Sequence, residues 1–231
     1  MKLSDLQPSK SGFKLVQYGD YGSGKSLRAL RATRFGPVKL FDTDNKIVGL
    51  KEKITAAEQA LIDVESITDY DDFSAKLTKF LQNPVGYNTL VVDTWNAAHR
   101  MTVNKGFELN PKGDGRAIYG DVKRKNTTLF ERLMIAPLNV IVNMHAGLEP
   151  FIDGSVRISP STAGTFGQEM PGYVNEVHYA YLNINNEYKI RVKPASNIVA
   201  RTALPDALID SSGILKISGL EIFDNLAKKT T

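Results

Sequence analysis

The fold class predicted by this sequence is α/β, with a mostly parallel sheet flanked by helices. Three observations predict it. The runs FKLVQY, NTLVVD and LNVIVNMH have strand length, and the last two have the near-continuous apolar character of strands buried on both faces. Amphipathic helical stretches alternate with the strands, which favours parallel pairing through right-handed crossovers. Breakers at Gly36-Pro37, NPVGY and Pro137 separate the elements.

Taken in order, the first strand is read over Phe13 to Tyr18, and Leu27, Leu30 and Arg34 follow at helical spacing until Gly36-Pro37. PVKLFDTD reads as a second strand that ends in Asp42 and Asp44, followed by a polar helical region and a short strand, IDVESI. DYDDFSAKLTKFLQ is predicted as a helix with Phe73, Leu77, Phe80 and Leu81 on one face. Ala117 to Ile135 is another, with Ile118, Val122, Leu129, Phe130 and Leu133 on its apolar side. Beyond His145 the character changes. Asp153-Gly154 and Asn185-Asn186 are hairpin signals, which predict antiparallel strands extending the sheet edge. Between them SPSTAGTFGQEMPG reads as a loop, and the C-terminal section is expected to close with a short helix. Residues 1–231 are expected to form one domain, with a core over about 13–204 and an extension over 205–231.

At 231 residues and 42% hydrophobic content the chain can bury one substantial core. The absence of cysteine excludes disulfides and thiolate metal sites and suits an intracellular protein. No apolar segment has membrane-crossing length, and MKLSDLQPSKSG lacks the apolar middle of a secretion signal, so a cytoplasmic protein without a membrane partner is expected. A net charge of +4 permits a polyanionic partner without arguing for one.

The stretch GDYGSGKS, Gly19 to Ser26, fits the phosphate cradle G-x-x-x-x-G-K-[ST] in the strand-to-helix context that this motif requires. Residues without a β-carbon let backbone N–H groups turn inward on a phosphate. Lys25 would reach the β- and γ-phosphates, and the Ser26 hydroxyl would ligate Mg²⁺. The plainer reading of the same stretch is a flexible turn. Asp93 ends NTLVVD, where a Walker-B acid would help hold the metal; its structural alternative is the N-cap of the helix beginning TWNAAHRM. Asp44 is placed to polarise an attacking water, or is turn chemistry alone. His145 ends the VIVN strand, where a neutral imidazole could contact the γ-phosphate.

In this order and spacing, GDYGSGKS, FDTD, TLVVDT and VIVNMH resemble the RecA-like P-loop ATPases, and especially the compact phage-encoded ATPases of the Sak single-strand annealing type. The resemblance runs from about Phe13 to Leu204, and only its first motif is highly specific. It implies an ATP site formed by Gly19, Asp20, Tyr21, Gly22, Ser23, Gly24, Lys25, Ser26 and Leu27, with Mg²⁺ held by Ser26 and Asp93. Asp44 falls where the family usually carries a catalytic glutamate and is one methylene shorter; His145 falls at a polar sensor position. Arg201 lies where such proteins reach a neighbour's γ-phosphate, although Val199 stands where a lysine is usual. The resemblance further implies self-association into a ring or filament with nucleotide between subunits, single-stranded DNA as a partner, and a single-strand binding protein beside it. DNA-facing candidates are Lys112, Arg116, Lys123 and Arg124, with Phe107 and Tyr119 near them for stacking, and Arg157 on the later hairpin. Two rival functions remain: a slow ATP-dependent switch or helicase loader, and a small-molecule kinase. Against the kinase, the lid candidate from Ala146 to Gly172 contains only Arg157 among arginines.

Overall fold

The computed structural model describes residues 12–150, 153–162 and 166–216. Its strands are β1 (Lys14–Gly19), β2 (Val38–Asp42), β3 (Ile62–Ser66), β4 (Thr89–Asp93), β5 (Asn139–Pro150), β6 (Val156–Pro160), β7 (Glu176–Leu182) and β8 (Tyr188–Arg191). The sheet order is β3-β2-β4-β5-β1-β7-β8, with β6 paired to β5. Every pairing from β3 to β7 in that order is parallel; β8 and β6 are antiparallel to β7 and β5. The apolar runs occupy the middle: β1, β2 and β4 are buried along their whole length. Because β1 sits between β5 and β7, its carboxyl end opens onto the centre of the sheet's upper edge.

Two core layers flank the sheet. On one side α3 (Tyr70–Gln82), α4 (Trp95–Leu109) and α5 (Gly115–Ile135) contribute Phe73, Leu77, Trp95, Leu129, Phe130 and Leu133. On the other, α1 (Lys25–Leu30) and the segment after β8 contribute Ala29, Leu30, Val192, Ile209 and Leu215. The helix starts have local causes. Asp69 caps α3 by accepting from the Asp72 N–H at 2.9 Å, and Asp114 caps α5 by accepting from the Arg116 N–H at 3.0 Å. Thr94 caps α4, so the alternative reading of Asp93 as that helix's cap is corrected.

Four further expectations are corrected. The helix after the glycine-rich loop ends at Leu30, and Arg31–Phe35 continues as a tighter 3₁₀ turn into Gly36, whose φ of 112° a helix could not accommodate. The polar helical region is a 3₁₀ stretch, Ile47–Lys53, and the one-turn helix α2 (Ala56–Gln59), started by a Thr55/Glu58 capping box. Both expected hairpins form, β5 with β6 and β7 with β8, but β7 is not itself the edge: α6 (Phe166–Glu169) and the 3₁₀ turn Met170–Gly172 lie between β6 and β7, and the chain returns beside β1 in the same direction. The stretch SPSTAGTFGQEMPG is anchored rather than a simple surface loop, since Phe166 and Met170 are fully buried. The expected C-terminal helix lies outside the described residues.

Candidate functional site

The glycine-rich loop begins where β1 ends between two strands that run on, β5 to Pro150 and β7 to Leu182, so His145 lies within β5 and not at its end as the sequence suggested. Gly19 is in register with His145 of β5 and Ala180 of β7. A β-carbon at Gly19 would stand 1.8 Å from the Ala180 carbonyl oxygen, so only glycine lets the loop leave the sheet here. Gly24 precedes α1 with φ 81°, a left-handed conformation that glycine adopts without strain. Lys25 is buried beneath the loop. Its Nζ donates to the Gly19 carbonyl at 2.9 Å, the Asp20 carbonyl at 2.7 Å and the Ser23 hydroxyl at 3.2 Å. Burial lowers its pKa to about 8, against the opposing pull of Asp93 and Asp20. An ammonium held by neutral oxygens in a site that disfavours its charge is well prepared to receive phosphate oxygens.

A cavity of about 570 Å³ opens over this loop, at the carboxyl ends of β1 and β4 and beside His145 within β5. Lys25, Ser26, Asp44, Asp93 and His145 all line it. Asp93 is 4% exposed and receives hydrogen bonds from Ser26 and from Asn143 Nδ2, the latter at 2.9 Å. Burial pushes its pKa up; the Ser26 and Asn143 bonds oppose that, while Asp44 and Asp42 add to it. A divalent cation would relieve this accumulation of carboxylates. Among the described residues no group of three or more His, Cys, Asp or Glu forms a complete cage. A serine hydroxyl bonded to one buried carboxylate suits Mg²⁺, which is bound through a few hard oxygens and completes its shell with water and phosphate.

Asp42 has a structural role, accepting from the backbone N–H groups of Lys46 and Ile47 at 3.2 and 3.1 Å. Asp44 faces the cavity, and its carboxylate is paired with Lys46 at 2.8 Å. The His145 pKa is lowered by burial and then by Lys25, so its ring is neutral at neutral pH. The Tyr21 ring lies 4.2 Å from the His145 ring, and the His145 backbone N–H donates to Asn96 Oδ1 at 2.7 Å. The lining also includes Leu27, Leu50, Ile190 and Leu215 alongside the charged Arg31, Lys53 and Lys189, with the Tyr188 ring against Gly24 of the loop.

Arg201 does not line this cavity: it is exposed, and its guanidinium lies 3.5 Å from the Pro171 carbonyl. Nor do the DNA candidates. Lys123 pairs with Glu169, Arg124 with Asp121 and Arg157 with Asp153, while Lys112 and Arg116 are exposed around the α4–α5 connection. Sequence reasoning missed Gln17, Arg28 and Asn143 under the loop and Tyr188 beside it. For Gln17 and Asn143 a signal existed, a polar residue interrupting each apolar strand.

The family described as AAA domain matches residues 11–204. Among solved structures, the crystal structure of the RadB recombinase is similar at 17% identity and TM-score 0.54, covering 90% of this chain and 92% of that one. An ATPase from the type III secretion system of pathogenic bacteria is similar at 15% identity and TM-score 0.53, covering 74% of this chain and 51% of that one, so the match spans about half of that protein. At these identities the likeness is one of fold, that of the RecA-like P-loop ATPases. No curated protein matches the sequence.

Proposed function

This chain belongs to the AAA-domain family, and we propose that it binds and hydrolyses ATP with Mg²⁺ and acts on single-stranded DNA in phage recombination or strand annealing, as a Sak-type protein. The observation that carries the nucleotide half is the convergence of Lys25, Ser26 and Asp93 in one cavity at the sheet's carboxyl edge. Lys25 moves from the loop carbonyls to the β- and γ-phosphate oxygens. Ser26 and Asp93 would hold Mg²⁺, which when bound would supply neutralising charge at the phosphates. Asp44 accepts a proton as water bonds to the γ-phosphorus and the bond to the β,γ-bridging oxygen breaks; ADP and phosphate leave. His145, neutral and in contact with the Tyr21 ring, senses whether the γ-phosphate is present.

Arg201, exposed and away from its own chain's cavity, would serve a neighbouring subunit in a ring or filament with nucleotide between subunits. The DNA half rests on the family resemblance and on the exposed Lys112 and Arg116 near Phe107 and Tyr119. Lys123, Arg124 and Arg157, each already paired with an acid, are secondary contacts, and a host-cell cytoplasmic location with a single-strand binding protein completes the reading. A second reading, a slow ATP-dependent switch or loader, is favoured by one observation: Asp44 is engaged by Lys46 and lacks glutamate's reach.

Phosphate release by the purified protein, with and without single-stranded DNA and beside Lys25→Ala, separates the two. DNA-stimulated release abolished by the substitution supports the recombination ATPase. Tight ATP binding with a flat, DNA-indifferent trace supports the switch and contradicts the first reading.

A further inference from the structure

Beneath α1 the sheet carries a row of polar side chains within an otherwise apolar layer. Asp93 of β4 is in register with Asn143 of β5, and Asn143 with Gln17 of β1. Gln17 and Asn143 are both 0% exposed, in the layer that contains Leu15, Val91 and Ile141. Burying two amides there is costly unless their hydrogen bonds are made, and they are made in one direction. Arg28 Nε donates to Gln17 Oε1 at 2.6 Å. Gln17 Nε2 donates to Asn143 Oδ1 at 2.5 Å and to the Lys25 carbonyl at 2.8 Å. Asn143 Nδ2 then donates to Asp93 Oδ1 at 2.9 Å.

The direction follows from the two ends. A guanidinium can only donate and a backbone carbonyl can only accept, so Arg28 and the Lys25 carbonyl together fix which way the Gln17 amide points. Gln17 must offer its N–H to Asn143, which leaves the Asn143 amide to turn its own N–H toward Asp93. Arg28 is itself buried, and its Nη1 and Nη2 have no hydrogen-bond partner among the described residues. An ion pair therefore does not account for its burial, and the bond to Gln17 is the contact it makes through this head group.

Resting on the nucleotide reading above, we propose that Arg28 and Gln17 are positioning residues: through Asn143 they commit one oxygen of Asp93 and hold its carboxylate toward Ser26 for Mg²⁺. Gln17 and Asn143 lie outside the cavity lining, whereas Arg28 is part of it, so Gln17 is the cleaner probe of an effect carried through Asp93. All three act through Asp93, as outer-shell partners act on a metal's ligands.

Isothermal titration of ATP in EDTA and in Mg²⁺ tests this with Gln17→Met, Arg28→Met and Arg28→Lys, each checked for folding by thermal melting. Gln17→Met keeps the side chain's length and loses the donor; Arg28→Lys restores one donor that Arg28→Met removes. The gain in ATP affinity on adding Mg²⁺ should fall about tenfold or more in Gln17→Met, a size typical of outer-shell substitutions. Arg28→Met should lose part of that gain and Arg28→Lys recover it, and in Gln17→Met, whose side chain does not line the cavity, affinity in EDTA should stay near wild type. A wild-type Mg²⁺ gain in folded Gln17→Met, or equal behaviour of Met and Lys at position 28, overturns the relay. Should Gln17→Met not fold, the Arg28 pair decides alone. Wild-type protein that binds no ATP in either buffer overturns the nucleotide reading and the relay with it; wild-type binding with unaltered variants overturns only the relay.

Discussion

At the scale of single residues, the site is a matter of which atoms have nowhere else to go. Lys25 is held by three oxygens of the loop it belongs to, in a position where burial opposes its charge. Replacing it with alanine removes charge-assisted bonds each worth about 1.5–3 kcal/mol, so ATP affinity should fall by at least roughly tenfold in calorimetry. Gly19 gives a second, steric prediction. Alanine there would set a β-carbon 1.8 Å from the Ala180 carbonyl oxygen, and the loop or β7 must move. Gly19→Ala should lower unfolding stability by about 1–3 kcal/mol in denaturant titrations, the range for overpacking a tight site. At Gly22 a β-carbon would meet nothing within 4 Å, so Gly22→Ala should show only the smaller cost of its φ of 76°. The loop was legible in the sequence because its chemistry is local: Gly19, Gly24, Lys25 and Ser26 act through backbone conformation and two adjacent side chains. Gln17 and Asn143 were not singled out, because strand register pairs them across 126 residues, and Arg28, only 11 residues from Gln17, gains its place through that pairing.

At the scale of elements, ends matter more than middles. Lys14, at the start of β1, buries its amine against the segment that leaves α5, donating to the carbonyl of the C-cap residue Ala136 at 2.7 Å and to the Leu138 carbonyl at 2.5 Å. Burial lowers its pKa from 10.5 to about 8. The unfolded chain keeps this proton up to the higher value and the folded chain releases it near the lower one. Between them the unfolded state binds more protons, so stability rises with pH across that window. The full shift corresponds to roughly 3 kcal/mol. Chemical denaturation should show the wild-type stability growing relative to Lys14→Met from about pH 8 to about pH 10; a constant difference would contradict it. Strands β1, β2 and β4 and helices α3 and α5 were readable from periodicity and breakers. The orientation of β7 was not, because hairpin signals report a strand's nearest neighbour in sequence. The partner that decides its direction is β1, more than 150 residues earlier, by register Val16 to Val177.

At the scale of the whole molecule, the sheet is held between two apolar layers, and the site occupies the gap over the loop, where β2 and β4 end beside His145 of β5. The fold class was legible because alternation of strand and helix constrains the whole chain at once. The glycine- and serine-rich stretch before β7 misled because its composition hides two core anchors. Phe166 packs against Trp95 and Phe130 with ring centroids 6.2 and 5.5 Å apart. Phe166→Ala should therefore cost about 3–5 kcal/mol of unfolding free energy, as for other buried aromatics. A loss under about 1 kcal/mol, typical of a surface position, would contradict that packing. The account as a whole depends on triphosphate binding in the Gly19–Ser26 loop. A crystal structure of the protein grown with Mg²⁺ and a non-hydrolysable ATP analogue tests this most directly. It should show the β- and γ-phosphates within hydrogen-bonding reach of the loop amides and of Lys25 Nζ, with the metal between Ser26 and Asp93. Analogue bound elsewhere, or a loop that remains closed on Lys25 at saturating analogue, would contradict it.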